Sequence, residues 1–94
     1  MDLHERMEVL LRLAEEIGLQ VRKEPLGGEG GGYCVLRGKR ILFVDTTADA
    51  EARYETTLAA LAPLSELDRH YLPPEVRLDL ERARGSEPPS EDSP

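Results

Sequence analysis

Cys34 is the one cysteine of the chain, and His4 and His70 are its two histidines. A thiol becomes a nucleophile when an imidazole, a cation or a helix N-terminus lowers its pKa. No spacing brings either histidine to Cys34. It stands in the apolar run Tyr33-Cys34-Val35-Leu36, where cysteine behaves as a small hydrophobe. A single cysteine excludes an internal disulfide and every multi-cysteine metal motif, and two histidines cannot make an all-histidine zinc set. His70, in Glu66-Leu67-Asp68-Arg69-His70-Tyr71, has carboxylates beside it but no partner at a known ligand spacing. Asp45 reads as a helix-entry residue. Asp68, Glu75 and Asp79 show no pairing expected of an acid–base couple. The expectation is a protein that is not an enzyme, with no metal and no cofactor.

Two loop features point instead to binding. The run Gly27-Gly28-Glu29-Gly30-Gly31-Gly32 invites a phosphate-loop reading. A P-loop needs Gly, four residues and then Gly-Lys-Ser/Thr. Here Tyr33 stands five residues before Gly38, and Arg40 follows Lys39. The dinucleotide pattern G-x-G-x-x-G fails as well, because its third glycine falls on Tyr33 or Val35. The run also enters a strand, whereas both motifs leave one and open a helix. What survives is a flexible connector whose Gly30, Gly31 and Gly32 are candidates for ligand contact. Arg37, Lys39 and Arg40 form a basic tip that suits an anion, a phosphate or an acidic partner; the alternative is a solvated turn that keeps an edge soluble.

These groups need elements to position them. Gly38-Lys39 fits a two-residue type II′ turn joining Tyr33-Cys34-Val35-Leu36-Arg37 to Arg40-Ile41-Leu42-Phe43-Val44-Asp45. That register sets Arg37 opposite Arg40 and Leu36 opposite Ile41. Alternation then puts Cys34, Leu36, Ile41 and Phe43 on one face and Tyr33, Val35, Leu42 and Val44 on the other. Both faces are apolar, so each needs a cover, from helices or from a second chain.

Asp2 with Glu5 reads as a capping box, and Leu3, Met7, Leu10, Ala14 and Ile17 recur at helical spacing up to the stop at Gly18-Leu19. Leu19-Gln20-Val21-Arg22 alternates as an edge strand would, closed by Pro25. Thr46 with Asp49 is placed to cap a second helix carrying Ala50, Tyr54, Leu58 and Leu61 inward and ending at Pro63. The stretch 64–71 reads as a short helix or a loop. Leu72-Pro73-Pro74 opens a third helix with Val76, Leu80 and Ala83 inward. Tyr71, Leu72 and Pro73 also suit an exposed contact patch, since tyrosine is favoured at interfaces.

Ninety-four residues make one domain. Residues 1–84 are expected to form it; residues 85–94 hold three acids and no large apolar side chain, and read as a disordered acidic tail. The net charge is −7, and only residues 19–47 are locally positive, with five basic against three acidic residues. That balance argues against a broad nucleic-acid surface and against anionic membranes. No stretch is apolar enough for a transmembrane helix, and the acidic start lacks a signal-peptide core. The expected location is the cytoplasm. Ten arginines against two lysines, with no asparagine, fit either GC-rich coding or a thermophilic host.

The hairpin ending in Asp45, the short turn and Arg53-Tyr54-Glu55-Thr56-Thr57-Leu58-Ala59 resemble the middle of the small IrrE/ImmA-type zinc peptidases. In that family a hairpin precedes a helix reading roughly R-x-F-T-L-A-H-E-x-x-H. The resemblance covers about a third of the chain. Setting Thr57-Leu58-Ala59 on the family's T-L-A puts its two metal histidines at Ala60 and Leu64 and its glutamate at Leu61. The resemblance therefore implies a degenerate scaffold that holds no zinc. The hairpin-to-Tyr71-Leu72-Pro73-Pro74 layout also looks like small bacterial proteins, and that likeness supplies no function.

The expected fold is a small α+β domain: helix, three-stranded antiparallel sheet, two helices. The expected function is a non-catalytic interaction or adaptor module of a bacterial-type cytoplasmic protein. The module is expected to be a homodimer, the other partner being a different protein, with Tyr33, Val35, Leu42 and Val44 or the patch Tyr71, Leu72 and Pro73 in the interface. The alternative is a small-ligand or anion sensor built on the glycine loop and the basic tip. A degenerate peptidase-like scaffold comes third.

Overall fold

The computed structural model describes residues 1–28 and 30–85. Gly85, expected to begin the tail, instead ends a helix; residues 86–94, the rest of that tail, lie outside the described residues.

Helix α1 (Leu3–Glu16) starts as its sequence dictates. The Glu5 amide donates to the Asp2 carboxylate at 2.8 Å, and the Asp2 amide donates to the Glu5 carboxylate at 3.0 Å. It stops at Gly18, whose positive φ of 99° lets the Leu19 amide reach back to the Ala14 carbonyl and its own amide to Glu15. Strands β1 (Gln20–Glu24), β2 (Gly32–Leu36) and β3 (Lys39–Asp45) follow, then α2 (Ala50–Leu61), a 3₁₀ turn (Ser65–Arg69) and α3 (Pro74–Gly85). The result is a small α+β domain.

The sheet is mixed, not antiparallel throughout. Consecutive strands do run in alternate directions, but β3 inserts between the other two, giving the order β1-β3-β2. It is therefore parallel to β1 and antiparallel to β2. The composition explains the choice. Ile41-Leu42-Phe43-Val44 is apolar on both faces and suits the centre, while Arg22, Lys23 and Glu24 suit an edge.

The hairpin turn is also shifted. Leu36 pairs with Lys39 and Val35 with Arg40, so the turn residues are Arg37 and Gly38. Both have positive φ, 51° and 78°, which is the type I′ arrangement matching the twist of the strands. Arg37 and Arg40 consequently do not face each other. The pairing moves by two residues, so each strand keeps its expected faces. Arg37 is the one non-glycine with positive φ among the described residues. Asparagine tolerates that conformation better, and Arg37→Asn is expected to stabilise the chain by about 1 kcal/mol, read as a raised urea midpoint.

All three helices join one core with Leu42 and Val44 of β3. Its buried members include Leu10 and Leu13 of α1, Leu58 and Leu61 of α2, and Val76 and Leu80 of α3. Helix α2 starts later than expected. Asp49 is its cap, accepting from the Ala52 amide at 2.8 Å, and Ala50 is exposed. The positions that the peptidase resemblance assigns to zinc ligation lie in apolar packing: Leu61 is fully buried, and Ala60 and Leu64 pack against the core.

Polar ties hold the helices at fixed points. The Tyr54 hydroxyl of α2 donates to Asp79 of α3, and Arg6 of α1 donates to the same carboxylate oxygen at 3.0 Å. Burial first, then the bond to Asp79, pushes the Tyr54 phenol well above its ordinary pKa. Arg84 reaches the Ala62 carbonyl at 2.7 Å and thereby satisfies the C-terminal end of α2.

Candidate interaction surface at the open edge of the sheet

The glycine loop is organised from inside by Asp45, the last residue of β3 and buried. One carboxylate oxygen accepts from the Leu26 amide at 2.8 Å, the Thr47 amide at 2.9 Å and the Thr47 hydroxyl at 2.6 Å. The other accepts from the Gly28 amide at 2.6 Å and the Gly30 amide at 3.2 Å. Burial opposes the charge, but the bonds from Thr47, Leu26 and Gly30 outweigh it and hold the carboxyl far below the usual range. Converging backbone amides are what an anion site needs, and here the chain's own carboxylate takes those of Leu26, Gly28 and Gly30. The helix-entry role expected of Asp45 belongs to Asp49.

The basic tip divides. Arg40 folds inward: one guanidinium nitrogen donates to both Glu66 carboxylate oxygens, at 2.8 and 3.1 Å, and the other terminal nitrogen donates to the Ile17 carbonyl at 2.6 Å. One side chain thus joins β3, the 3₁₀ turn and the end of α1. The Arg40 hydrogen bond and charge hold the Glu66 carboxyl below its ordinary pKa. Arg37 and Lys39 are exposed at the turn.

The expected interface residues divide as well. Leu42 and Val44 are taken up by the chain's own core and have no surface for a partner. In the 71–73 patch, Leu72 is buried and Pro73 half-buried, and Tyr71 projects at 77% exposure. Tyr33 and Val35 stand open on β2, 37% and 54% exposed, with Leu36 beside them at 47%. Cys34 is half-buried, on the opposite sheet face from the helices together with Ile41 and Phe43. Arg22 lies 5.5 Å from the Phe43 ring centroid on that face.

The backbone of β2 completes the surface. A two-residue turn makes Leu36 and Lys39 a hydrogen-bonded pair, and alternation makes Cys34–Ile41 and Gly32–Phe43 hydrogen-bonded pairs too. Tyr33 and Val35 therefore direct both their N–H and C=O groups to the outer edge, where no strand pairs with them among the described residues. The other edge, β1, carries Arg22, Lys23 and Glu24, with an Arg22–Glu24 ion pair at 2.6 Å, and ends at Pro25. One edge of the sheet is protected against strand addition and the other is bare.

The two histidines each stand beside a single carboxylate. His4 lies 3.2 Å from Glu8 and His70 3.4 Å from Glu16. Among the described residues no group of three His, Cys, Asp or Glu side chains is placed to hold a metal ion, and no helix is long and apolar enough to cross a membrane. Sequence reasoning missed Asp45, Glu66 and the Arg6–Tyr54–Asp79 tie. A signal existed for the first: Asp45-Thr46-Thr47 is an Asx-turn pattern, and glycine amides are natural donors to such a carboxylate. Comparisons with protein-family models, with curated proteins and with solved structures find no match.

Proposed function

We propose that this chain is a non-catalytic protein-interaction module of the cytoplasm that binds by strand addition at β2. The observation that carries the reading is the bare edge Gly32–Leu36, with outward backbone groups at Tyr33 and Val35 and exposed apolar side chains on both. Extended segments bind such edges through main-chain hydrogen bonds, and alternate side chains supply selectivity. The single cysteine fits a reducing compartment. The anion-sensor reading loses two of its groups, since the Gly30 amide already serves Asp45 and Arg40 is paired with Glu66.

The test is amide hydrogen exchange with a synthetic strand peptide carrying residues 31–37 and Cys34→Ser. With the protein dilute enough to be monomeric, the Tyr33 and Val35 amides are expected to slow by at least about tenfold when the peptide is added, with little change in β1. Unchanged exchange at both amides up to saturating peptide would overturn the reading.

A further inference from the structure

Resting on that reading, we infer that the occupant of the β2 edge is a second copy of this chain, paired antiparallel with Cys34 on the twofold axis. The hydrogen-bond arithmetic selects this register. Tyr33 lies opposite Val35 of the partner subunit, and the two exchange both N–H···O bonds. The twofold repeats the exchange, so all four outward groups of each strand are satisfied and none is orphaned.

The side chains agree with the backbone. Each Tyr33 meets Val35 of the partner subunit, an aromatic against a β-branched residue, which is a favourable cross-strand pair. The strand Gly32–Leu36 carries no charge in a chain of net charge −7, so two copies meet where neither presents a charge. Arg37 lies three residues from the axis, which separates it from Arg37 of the partner subunit by six residues, or about 20 Å. That exceeds the screening length of about 8–10 Å in physiological salt. The result is a continuous six-stranded sheet whose outer edges are the two protected β1 strands.

One strand pair is a small interface, so the dimer is expected to form and dissociate with concentration. Cys34 reports the register. It faces Cys34 of the partner subunit as a non-hydrogen-bonded pair, with Cα atoms about 4.5 Å apart, within the span of a disulfide. In the dimer, diamide should join the two thiols as one S–S bond, itself taking up the two hydrogens.

The experiment follows native mass against protein concentration for the parent chain, Val35→Pro and Val35→Lys, and then diamide cross-linking of each. The Val35 amide faces outward, so proline there removes no bond to β3. The parent should pass from monomer to dimer and cross-link through Cys34. Both variants should stay monomeric and cross-link at least about tenfold more slowly. A parent that is monomeric at every concentration overturns the inference, as does a dimer that survives both substitutions or one that diamide does not cross-link. If the monomeric parent still shows peptide-protected Tyr33 and Val35 amides, the dimer of folded copies falls while strand addition at β2 stands; if those amides also stay unprotected, the interaction module falls with it.

Discussion

Asp45→Asn is expected to melt on the order of 10 °C or more below the parent chain, despite being isosteric. Both carboxylate oxygens act only as acceptors, one for Leu26 and Thr47 and the other for Gly28 and Gly30. An asparagine amide replaces one acceptor with a donor aimed at donors, so one set of amides is left unpaired in a buried site whichever way it turns. The pH dependence gives a second signature. Folding depresses this carboxyl far below its unfolded value, so the folded chain keeps it ionised where the unfolded chain binds a proton. Its contribution is complete above the unfolded aspartate value of about 4 and is lost as the pH falls below it toward the folded value. The stability difference between parent and Asp45→Asn, measured by urea unfolding, should therefore be largest near neutrality and shrink steadily below about pH 4. A difference that stays constant down to pH 2 would show that the carboxylate is not what organises the loop.

Leu42→Asp is expected to abolish folding, whereas Val35→Lys, on the neighbouring strand and the same face of the sheet, should melt within a few degrees of the parent at low concentration. Leu42 is fully buried at the centre of β3, inside the core that residues of all three helices join. A carboxylate there has no partner, and its desolvation costs several kcal/mol out of a total stability of about 5–15. Val35 sits at the open edge, where a lysine stem lies along apolar surface and its ammonium reaches water. Circular dichroism with thermal melting reads both. A folded, cooperatively melting Leu42→Asp chain would mean that the helices cover the other face of the sheet.

The contrast between those two residues also marks what the sequence can and cannot say. Alternation groups Tyr33, Val35, Leu42 and Val44 correctly, because a two-residue shift of the turn leaves side-chain parity intact. It cannot separate Leu42 from Val35, since that depends on which strand is central. The central place of β3 is a long-range outcome, decided when β1 pairs with it in parallel across the glycine loop. Helix α1 was readable because its start and stop are local: the capping box spans four residues and the Gly18 stop six. The open edge was hidden for the opposite reason. Bareness at β2 means something only beside the charges on β1, and the two edges are compared only once the sheet is assembled.

The strand order β1-β3-β2 has a consequence for synthesis of the chain. The strand to which both others pair is the last of the three to leave the ribosome, so neither β1 nor β2 has a neighbour until Asp45 has emerged. Until then the apolar stripe of α1 and the uncharged β2 segment are both without their cover. Sheet and core must then close together, as β3 threads between two strands already waiting for it, and a chain cut short in the turn at Gly38 has no sheet at all.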